Sequence, residues 1–314
     1  MTSVDAPVTS IDAPAPRVYT TLITSTWSMP GQDWGNFCAI QPITQEMWID
    51  SFRLGSATDP TNDHQLLYVT STPPASCAPQ LDDTDSIIYG AGDAGGSGNP
   101  LQEVDLPANM AVHLLPGTSL VLNSHIDNSA PGTTTVNGES VIEAHAIENP
   151  NPAQLTAVDM VLAGDAQLDV PANMPAPPAQ NSLYQVTGTC YPTAMASEQW
   201  HIVMLWPHMH QSGRVATVSI EHAGASTTIL NDSNYSISTD SYYVPVANGL
   251  VDTGDELNVE CSLTNQHNFA LDQDGETMPD SQGGALCWTG VYKWPAGYNQ
   301  NVTSPYGCVV GHSQ

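Results

Sequence analysis

The chain has 314 residues, of which 40% are hydrophobic, and 32 acidic against four basic residues give it a formal net charge of −28. So little Lys and Arg argues against a nucleic-acid-binding surface, because phosphate contacts need clustered positive charge. Anionic membranes are disfavoured for the same reason, and no apolar run reaches the roughly 18 residues of a spanning helix. The acidic excess serves solubility or attracts cations, and the sequence leaves both roles open.

The first segment, residues 1–17, is a polar leader rich in Ala and Pro. We expect it to be extended or flexible. It lacks the basic start and the apolar centre of a secretory signal peptide. The sequence therefore predicts either a cytosolic protein or a secreted protein whose signal was removed before residue 1.

After the leader, short runs of β-branched and aromatic residues alternate with clusters of Gly, Pro, Asn and Asp. Examples in chain order are "RVYTTLIT", "HQLLYVTS", "TSLVLNSHID", "QWHIVMLW" and "LCWTGVYKW". This pattern predicts an all-β chain built from β-sandwiches. The length favours two domains, and the Pro-rich segment 169–182 marks their junction. We predict an N-terminal domain over 18–170 and a C-terminal domain over 171–314.

The six cysteines contain no CxxC pair, which does not fit a zinc ribbon. Their even number fits three disulfides, and many pairings are open. Lys is nearly absent, while Thr, Ser, Asn, Gly and Pro abound. We therefore expect an oxidising compartment, extracellular or periplasmic.

The stretch "WPHMHQSGR" holds His208 and His210 one residue apart. Side chains alternate along a strand, so both imidazoles share one face, in a stripe that begins at Trp200. Pro207 places the pair at a strand end or a sheet edge. An H-x-H pair of this kind can hold one metal ion; the alternative is two ordinary edge histidines.

Two other strand-like runs each carry a histidine that could join a metal site. His125 lies in "LVLNSHIDN", and the neighbours Asp63 and His64 open "DHQLLYVTS". Neighbours on an ideal strand face opposite ways, but a bent strand start would let both reach one ion. Taken singly, each histidine is more typical of a structural or exposed position. The remaining histidines show no spacing signal, and the sequence contains no nucleophile elbow, HExxH motif, P-loop or dinucleotide fingerprint.

Taken in order, these motifs resemble the copper type II, ascorbate-dependent monooxygenases, the family of the peptidylglycine-hydroxylating and dopamine β-monooxygenases. The resemblance is one of order and spacing over most of residues 35–310. "DHQLLYV" and "LVLNSHID" match the two places that hold the family's first copper. "HMHQSGR" matches the H-x-H and basic turn of the second copper, and "GET…GGALC" loosely matches the segment with its methionine ligand.

The resemblance implies a secreted oxidoreductase with two jelly-roll-like β-sandwich domains and a cleft between them. Such an enzyme hydroxylates a C–H bond of a small organic substrate with O₂, two copper ions and ascorbate as reductant. The implied ligands are His64, His125 and Asp63 for the first copper, and His208, His210 and Met278 for the second. The implied disulfides are Cys38–Cys77, Cys190–Cys308 and Cys261–Cys287.

The sequence departs from the family at several of these positions. Asp63 stands where a histidine belongs, and Leu286 stands where the methionine belongs, eight residues after Met278. In the peptide-amidating members of the family, a basic residue binds the carboxylate of the substrate. The matching position in this chain lies near Trp206 and has no basic residue, so a glycine-ended peptide is not the expected substrate. Trp206 and Trp288 would line an apolar pocket or belong to the core. The alternative function is a non-catalytic copper-binding or structural extracellular module that keeps the fold.

Overall fold

The computed structural model describes these residues of the chain: 17–56, 58, 62–73, 86–92, 102–165, 168–172, 183–190, 199–236, 243–252, 254–272, 285–296 and 308–310. They form 21 strands and a single 3-10 turn, which confirms the predicted all-β class. In the described part of the chain, no helix is long and apolar enough to cross a membrane.

The first strands in chain order are β1 (Thr20–Met29), β2 (Asp33–Pro42), β3 (Met47–Leu54), β4 (Asn62–Thr70), β5 (Ser86–Ala91), β6 (Val104–Asp105), β7 (Met110–Leu114), β8 (Ser119–Asn128), β9 (Val136–Ala146), β10 (Thr156–Ala157) and β11 (Asp159–Asp165). The others are β12 (Asp169–Val170), β13 (Tyr184–Cys190), β14 (Trp200–His208), β15 (Gly213–His222), β16 (Ala225–Asp232), β17 (Val244–Val251), β18 (Glu256–Leu263), β19 (Leu271–Asp272), β20 (Cys287–Trp294) and β21 (Cys308–Val310). The 3-10 turn is Pro152–Gln154.

These strands build three sheets of four or more strands. A six-stranded sheet has the order β1-β9-β3-β7-β10, with β6 beside β3. A nine-stranded sheet has the order β17-β14-β20-β11-β5-β4-β8-β2, with β21 beside β11, and a four-stranded sheet has the order β13-β18-β15-β16. Strands β12 and β19 form a separate pair.

Two large hydrophobic cores and a smaller cluster of Trp27, Met29 and Ile126 hold the sheets together. The first core joins side chains of the six-stranded sheet, such as Ile49, to those of the nine-stranded sheet, such as Leu67. The second core joins the four-stranded sheet, through residues such as Val259, to the other half of the nine-stranded sheet, through residues such as Val161. The nine-stranded sheet thus packs against both the six-stranded and the four-stranded sheet, as expected for a chain of β-sandwiches.

The predicted division of the chain at residue 170 stays a prediction. Strand β11, on its N-terminal side, pairs with β20, on its C-terminal side, from Asp159↔Lys293 to Asp165↔Cys287. The last strand segment before the Pro-rich segment 169–182 is therefore already hydrogen-bonded to the C-terminal half of the chain.

The face alternation expected for β14 is interrupted. Trp200 and Ile202 belong to the second core, whereas Met204 and Trp206 belong to the first. The pairing of β14 with both neighbours shifts register between Ile202 and Met204. The prediction of one continuous stripe from Trp200 to His210 is therefore wrong at its start, because a β-bulge adds one residue and turns the following side chains to the other face.

Cys261 and Cys287 form a disulfide, as the resemblance implied. It joins β18 of the four-stranded sheet to β20 of the nine-stranded sheet. Cys38 is also disulfide-bonded, and its implied partner, Cys77, lies outside the described residues. For Cys190 and Cys308 the strands are described but the side chains are not, so their pairing stays a prediction.

Two tyrosines of the first core, Tyr89 and Tyr292, are fully buried. The Tyr89 hydroxyl donates to the carbonyl of Gln102 at 2.9 Å, and the Tyr292 hydroxyl donates to the carbonyl of Ile88. Removal from water raises the pKa of both phenols well above their ordinary value of 10.0. Both side chains are therefore held in the neutral form.

We expect the free energy of unfolding to fall as the pH rises above about 10. Because the folded pKa of each phenol exceeds its unfolded value, the unfolded chain releases these protons first. Their stabilising contribution is complete below pH ~10 and is lost as the pH rises toward the folded pKa. Tyrosinate absorbance and circular dichroism, recorded together, should show these phenols ionising only as the fold is lost, and Tyr89→Phe should weaken the effect. Ionisation of every tyrosine near pH ~10 with the fold intact would contradict this expectation.

Candidate metal centre

Strands β4 and β8 present the first two histidines. The strands run antiparallel, and His64 lies directly opposite His125 in their register. The register shifts between Asn62 and His64, which marks a β-bulge or irregularity at the start of β4. Paired residues project to the same face of a sheet, and the two imidazole centroids lie 4.8 Å apart.

The end of β14 presents the H-x-H pair. His208 is the last residue of the strand, as the position of Pro207 predicted. Met209 points into the second core, and the Tyr235 hydroxyl fixes its main chain, accepting from the Met209 N–H at 2.9 Å and donating to its carbonyl at 2.8 Å. His208 and His210 share the opposite face, with ring centroids 5.6 Å apart.

The nine-stranded sheet brings these two sets of histidines together. Strands β20, β11 and β5 lie between β14 and β4, which in a flat sheet would separate them by about 19 Å. The centroid of His64 nevertheless lies 5.2 Å from that of His208 and 5.6 Å from that of His210. The sheet therefore curls on itself. Along this curl, β11 and β5 are joined by a single residue pair, Met160↔Ile87.

The result is one cluster of four buried histidines, where the resemblance implies two separate copper sites. The exposed fractions of His64, His125, His208 and His210 are 5%, 0%, 2% and 2%. His125 also approaches His210, with ring centroids 6.5 Å apart.

Three of these histidines are close enough to share one ion. One ring nitrogen from each of His64, His208 and His210 lies within 4.8 Å of the others. A point centred among three such atoms is at most about 2.8 Å from each, against metal–nitrogen bonds of about 2 Å. Small side-chain rotations close that gap. Imidazole is a ligand for copper, zinc, nickel and iron, so the residues present fit a transition-metal ion.

Two tryptophans flank the cluster. The Trp206 ring stacks on His208, with centroids 4.8 Å apart and an interplanar angle of 12°. Trp34, on β2, meets His125 edge to face at a centroid distance of 6.2 Å. Trp34 could not be predicted from the sequence, because only the pairing of β2 with β8 places it there. Trp206 and Trp288 are both packed in the first core, the alternative that the sequence left open for them.

Trp206 reaches the cluster through a space that two glycines leave. A Cβ added to Gly90 would lie 2.4 Å from the Trp206 ring, and one added to Gly290 would lie 3.0 Å from it. The indole therefore lies directly on the main chain of β5 and β20. This packing fixes the ring that supports His208.

We expect Gly90→Ala to lower the free energy of unfolding by about 1–3 kcal/mol, because the new methyl group overlaps the buried indole. Urea unfolding measures the change. Gly35→Ala is the matched control, since its Cβ would meet no atom closer than 3.4 Å, and it should change stability by less than about 0.5 kcal/mol. Equal effects of the two substitutions would contradict the assigned packing.

The other predicted ligands are not placed in the cluster. Asp63 lies in β4, but its side chain is not described. Met278 lies outside the described residues. Leu286 is buried in the first core.

Comparisons with known proteins give no family: no family model and no curated protein matches the chain. Among solved structures, the chain is similar to PNGF-II at 10% identity and a TM-score of 0.34, over 86% of this chain and 65% of that one. It is similar to a capsid chain of the PBCV-1 virus at 6% identity and a TM-score of 0.30, over 90% and 94%. With TM-scores below 0.5, these likenesses define neither the fold nor the site.

Proposed function

We propose that this is a secreted copper-binding protein that holds one copper ion on His64, His208 and His210. The observation that carries the proposal is the approach of three buried imidazole nitrogens to within 4.8 Å of one another. They come from β4 and from the end of β14 with the residues just beyond it, which are distant in the sequence and which only the curled sheet brings together. The net charge of −28 supports the proposal, because it attracts cations to the protein.

Copper is favoured by the chemistry of the donors. Nitrogen sites bind Cu²⁺ more tightly than the other divalent first-row metals, and imidazole suits copper in proteins. Burying an ion is costly, and neutral imidazoles leave Cu⁺ with a single positive charge in the core. Zinc is the competing occupant, and the experiment below separates the two.

His125 is the natural fourth ligand. Its ring lies 4.8 Å from that of His64 and 6.5 Å from that of His210. Four imidazoles would complete a tetrahedral shell, the arrangement of structural sites, whereas catalytic sites keep a position open. With the burial of all four rings, a closed shell favours a structural or electron-storing copper over an oxygen-activating one.

Hydroxylation of a small organic substrate with O₂ and ascorbate is the second candidate function. It is favoured by the H-x-H pair, which Gly213 and Arg214 follow as in the family that the sequence resembles. This function needs an open coordination position, which a site with three histidine ligands leaves. The role of His125 therefore distinguishes the two candidates.

The test is a titration of the metal-free chain with Cu²⁺ and, separately, Zn²⁺, followed by electron paramagnetic resonance of the copper form. We expect one copper per chain, tighter than zinc, with hyperfine coupling to imidazole nitrogens. His125→Ala should change the spectrum if the shell is closed, and ascorbate-dependent oxygen uptake should be absent from the parent chain. Two coppers per chain, or no specific binding, would contradict the single site.

A further inference from the structure

A polar pocket of about 240 Å³ lies at the turn that follows His210. The residues that line it include Arg214, Ser212, Thr264, Gln266 and His267. Its volume is below the roughly 300–1,000 Å³ of sites for drug-sized ligands. The pocket therefore suits a molecule of about one ring.

One wall is the turn between β14 and β15. The Gly213 N–H donates to the His210 carbonyl at 2.9 Å, and the Thr264 N–H donates to the Ser212 carbonyl at 2.9 Å. Arg214 folds back onto this turn, where its Nη1 donates to the Gln211 carbonyl at 2.6 Å. These bonds hold the guanidinium in one position at the pocket, so binding costs little ordering of that side chain.

The opposite wall is the loop from Thr264 to Leu271. Asn265 is buried and organises it: its amide donates to the Phe269 carbonyl at 2.8 Å, and its Oδ1 accepts from the His267 N–H at 2.9 Å. The rings of His267 and Phe269 stack with centroids 4.9 Å apart, and Phe269 is 40% exposed. The loop thus presents a fixed aromatic surface beside the pocket.

We infer that this pocket binds a small hydroxylated carboxylate of the class of a hexuronate, a sugar acid with one ring. A guanidinium recognises a carboxylate through paired, charge-assisted hydrogen bonds. The exposed amide of Gln266, which lines the pocket, supplies donors and an acceptor for ring hydroxyls. The ring of His267, held by its stacking on Phe269, lines the pocket and offers a flat face to ring C–H groups. The inference does not depend on a metal in the neighbouring cluster.

The test is calorimetric titration of the full chain with glucuronate, glucose and acetate. Glucuronate should bind saturably, and glucose and acetate at least about tenfold more weakly, a difference of about 1.4 kcal/mol. Arg214→Gln should weaken glucuronate binding at least about tenfold. Arg17→Gln makes the same charge change away from the pocket, and it should leave the affinity unchanged.

Because Arg214 also holds a turn, Gln266→Ala is measured alongside it. Gln266 is exposed, so this variant should fold normally and bind glucuronate several-fold more weakly. The proposal is overturned if glucuronate shows no saturable binding, if glucose or acetate binds as tightly, or if folded Arg214→Gln and Gln266→Ala both bind like the parent.

Discussion

We expect the replacement of His208 with Ala to abolish the stabilisation that the proposed copper ion would give to this protein. In the parent chain, copper at about a thousand times its dissociation constant should raise the free energy of unfolding by about 4 kcal/mol. The ion must bind the folded cluster much better than the unfolded chain, because only the curled sheet places His64 within 5.2 Å of His208. In His208→Ala we expect a gain below about 1 kcal/mol, measured by denaturant unfolding with and without copper.

His201→Gln is the matched control for this experiment. His201 lies on the same strand, β14, but its ring stacks on Trp294 at 3.7 Å instead of facing the cluster. Each variant is compared with its own metal-free form, so any loss of stability from the substitution itself cancels. A copper gain in His208→Ala equal to that of the parent would show that the ion is held elsewhere.

Asp159→Asn should lower the free energy of unfolding by about 3–5 kcal/mol. The Lys293 Nζ lies 2.7 Å from the Asp159 Oδ1, and both side chains are almost fully removed from water. The Nζ also donates to the Pro295 carbonyl at 3.0 Å and lies 5.1 Å from the Trp200 ring centroid. Without the Asp159 carboxylate, the Lys293 ammonium group stays buried without its opposite charge. Breaking a buried ion pair in this way destabilises a fold strongly. Chemical unfolding measures the loss.

Two further variants separate this burial effect from ordinary ion pairing. The double variant Asp159→Leu with Lys293→Met should recover most of the loss, because apolar side chains often replace a buried ion pair without cost. Glu143→Gln breaks the more exposed pair of Glu143 with Arg53 and should cost less than about 1 kcal/mol. Similar effects of Asp159→Asn and Glu143→Gln would contradict the role assigned to burial.

The buried ion pair also bears on the position of the histidine cluster. Asp159 and Lys293 are directly paired at one end of the β11–β20 ladder. The neighbouring residue, Met160, makes the single pairing that joins β11 to β5. The pair therefore lies beside the link through which the nine-stranded sheet curls, and the approach of β14 to β4 depends on that curl.

The class of the fold and the local orientation of the histidines were predictable from the sequence. Short runs of β-branched and aromatic residues, separated by clusters of Gly, Pro, Asn and Asp, identified an all-β chain. Period-two alternation placed His208 and His210 on one face, and Pro207 placed them at the strand end. These properties depend on neighbouring residues alone, because backbone geometry sets side-chain direction along a strand.

Other local details escaped the sequence. The run "QWHIVMLW" does not predict the bulge between Ile202 and Met204. Because of this bulge, the two ends of β14 pack in different cores. Trp34 near His125 and the pocket at Arg214 were missed for a related reason. Each depends on which strand or loop lies next to another, and hydrophobic pattern does not specify that partner.

The sequence by itself determined an acidic, all-β chain with histidines on several strands, and through a resemblance it divided those histidines between two metal sites. Only the tertiary structure decided that His64, His125, His208 and His210 form one cluster. The physical reason is that β4 and β14 are not hydrogen-bonded neighbours. Their approach results from the curl of a sheet across three intervening strands, a long-range property that no local spacing of histidines records.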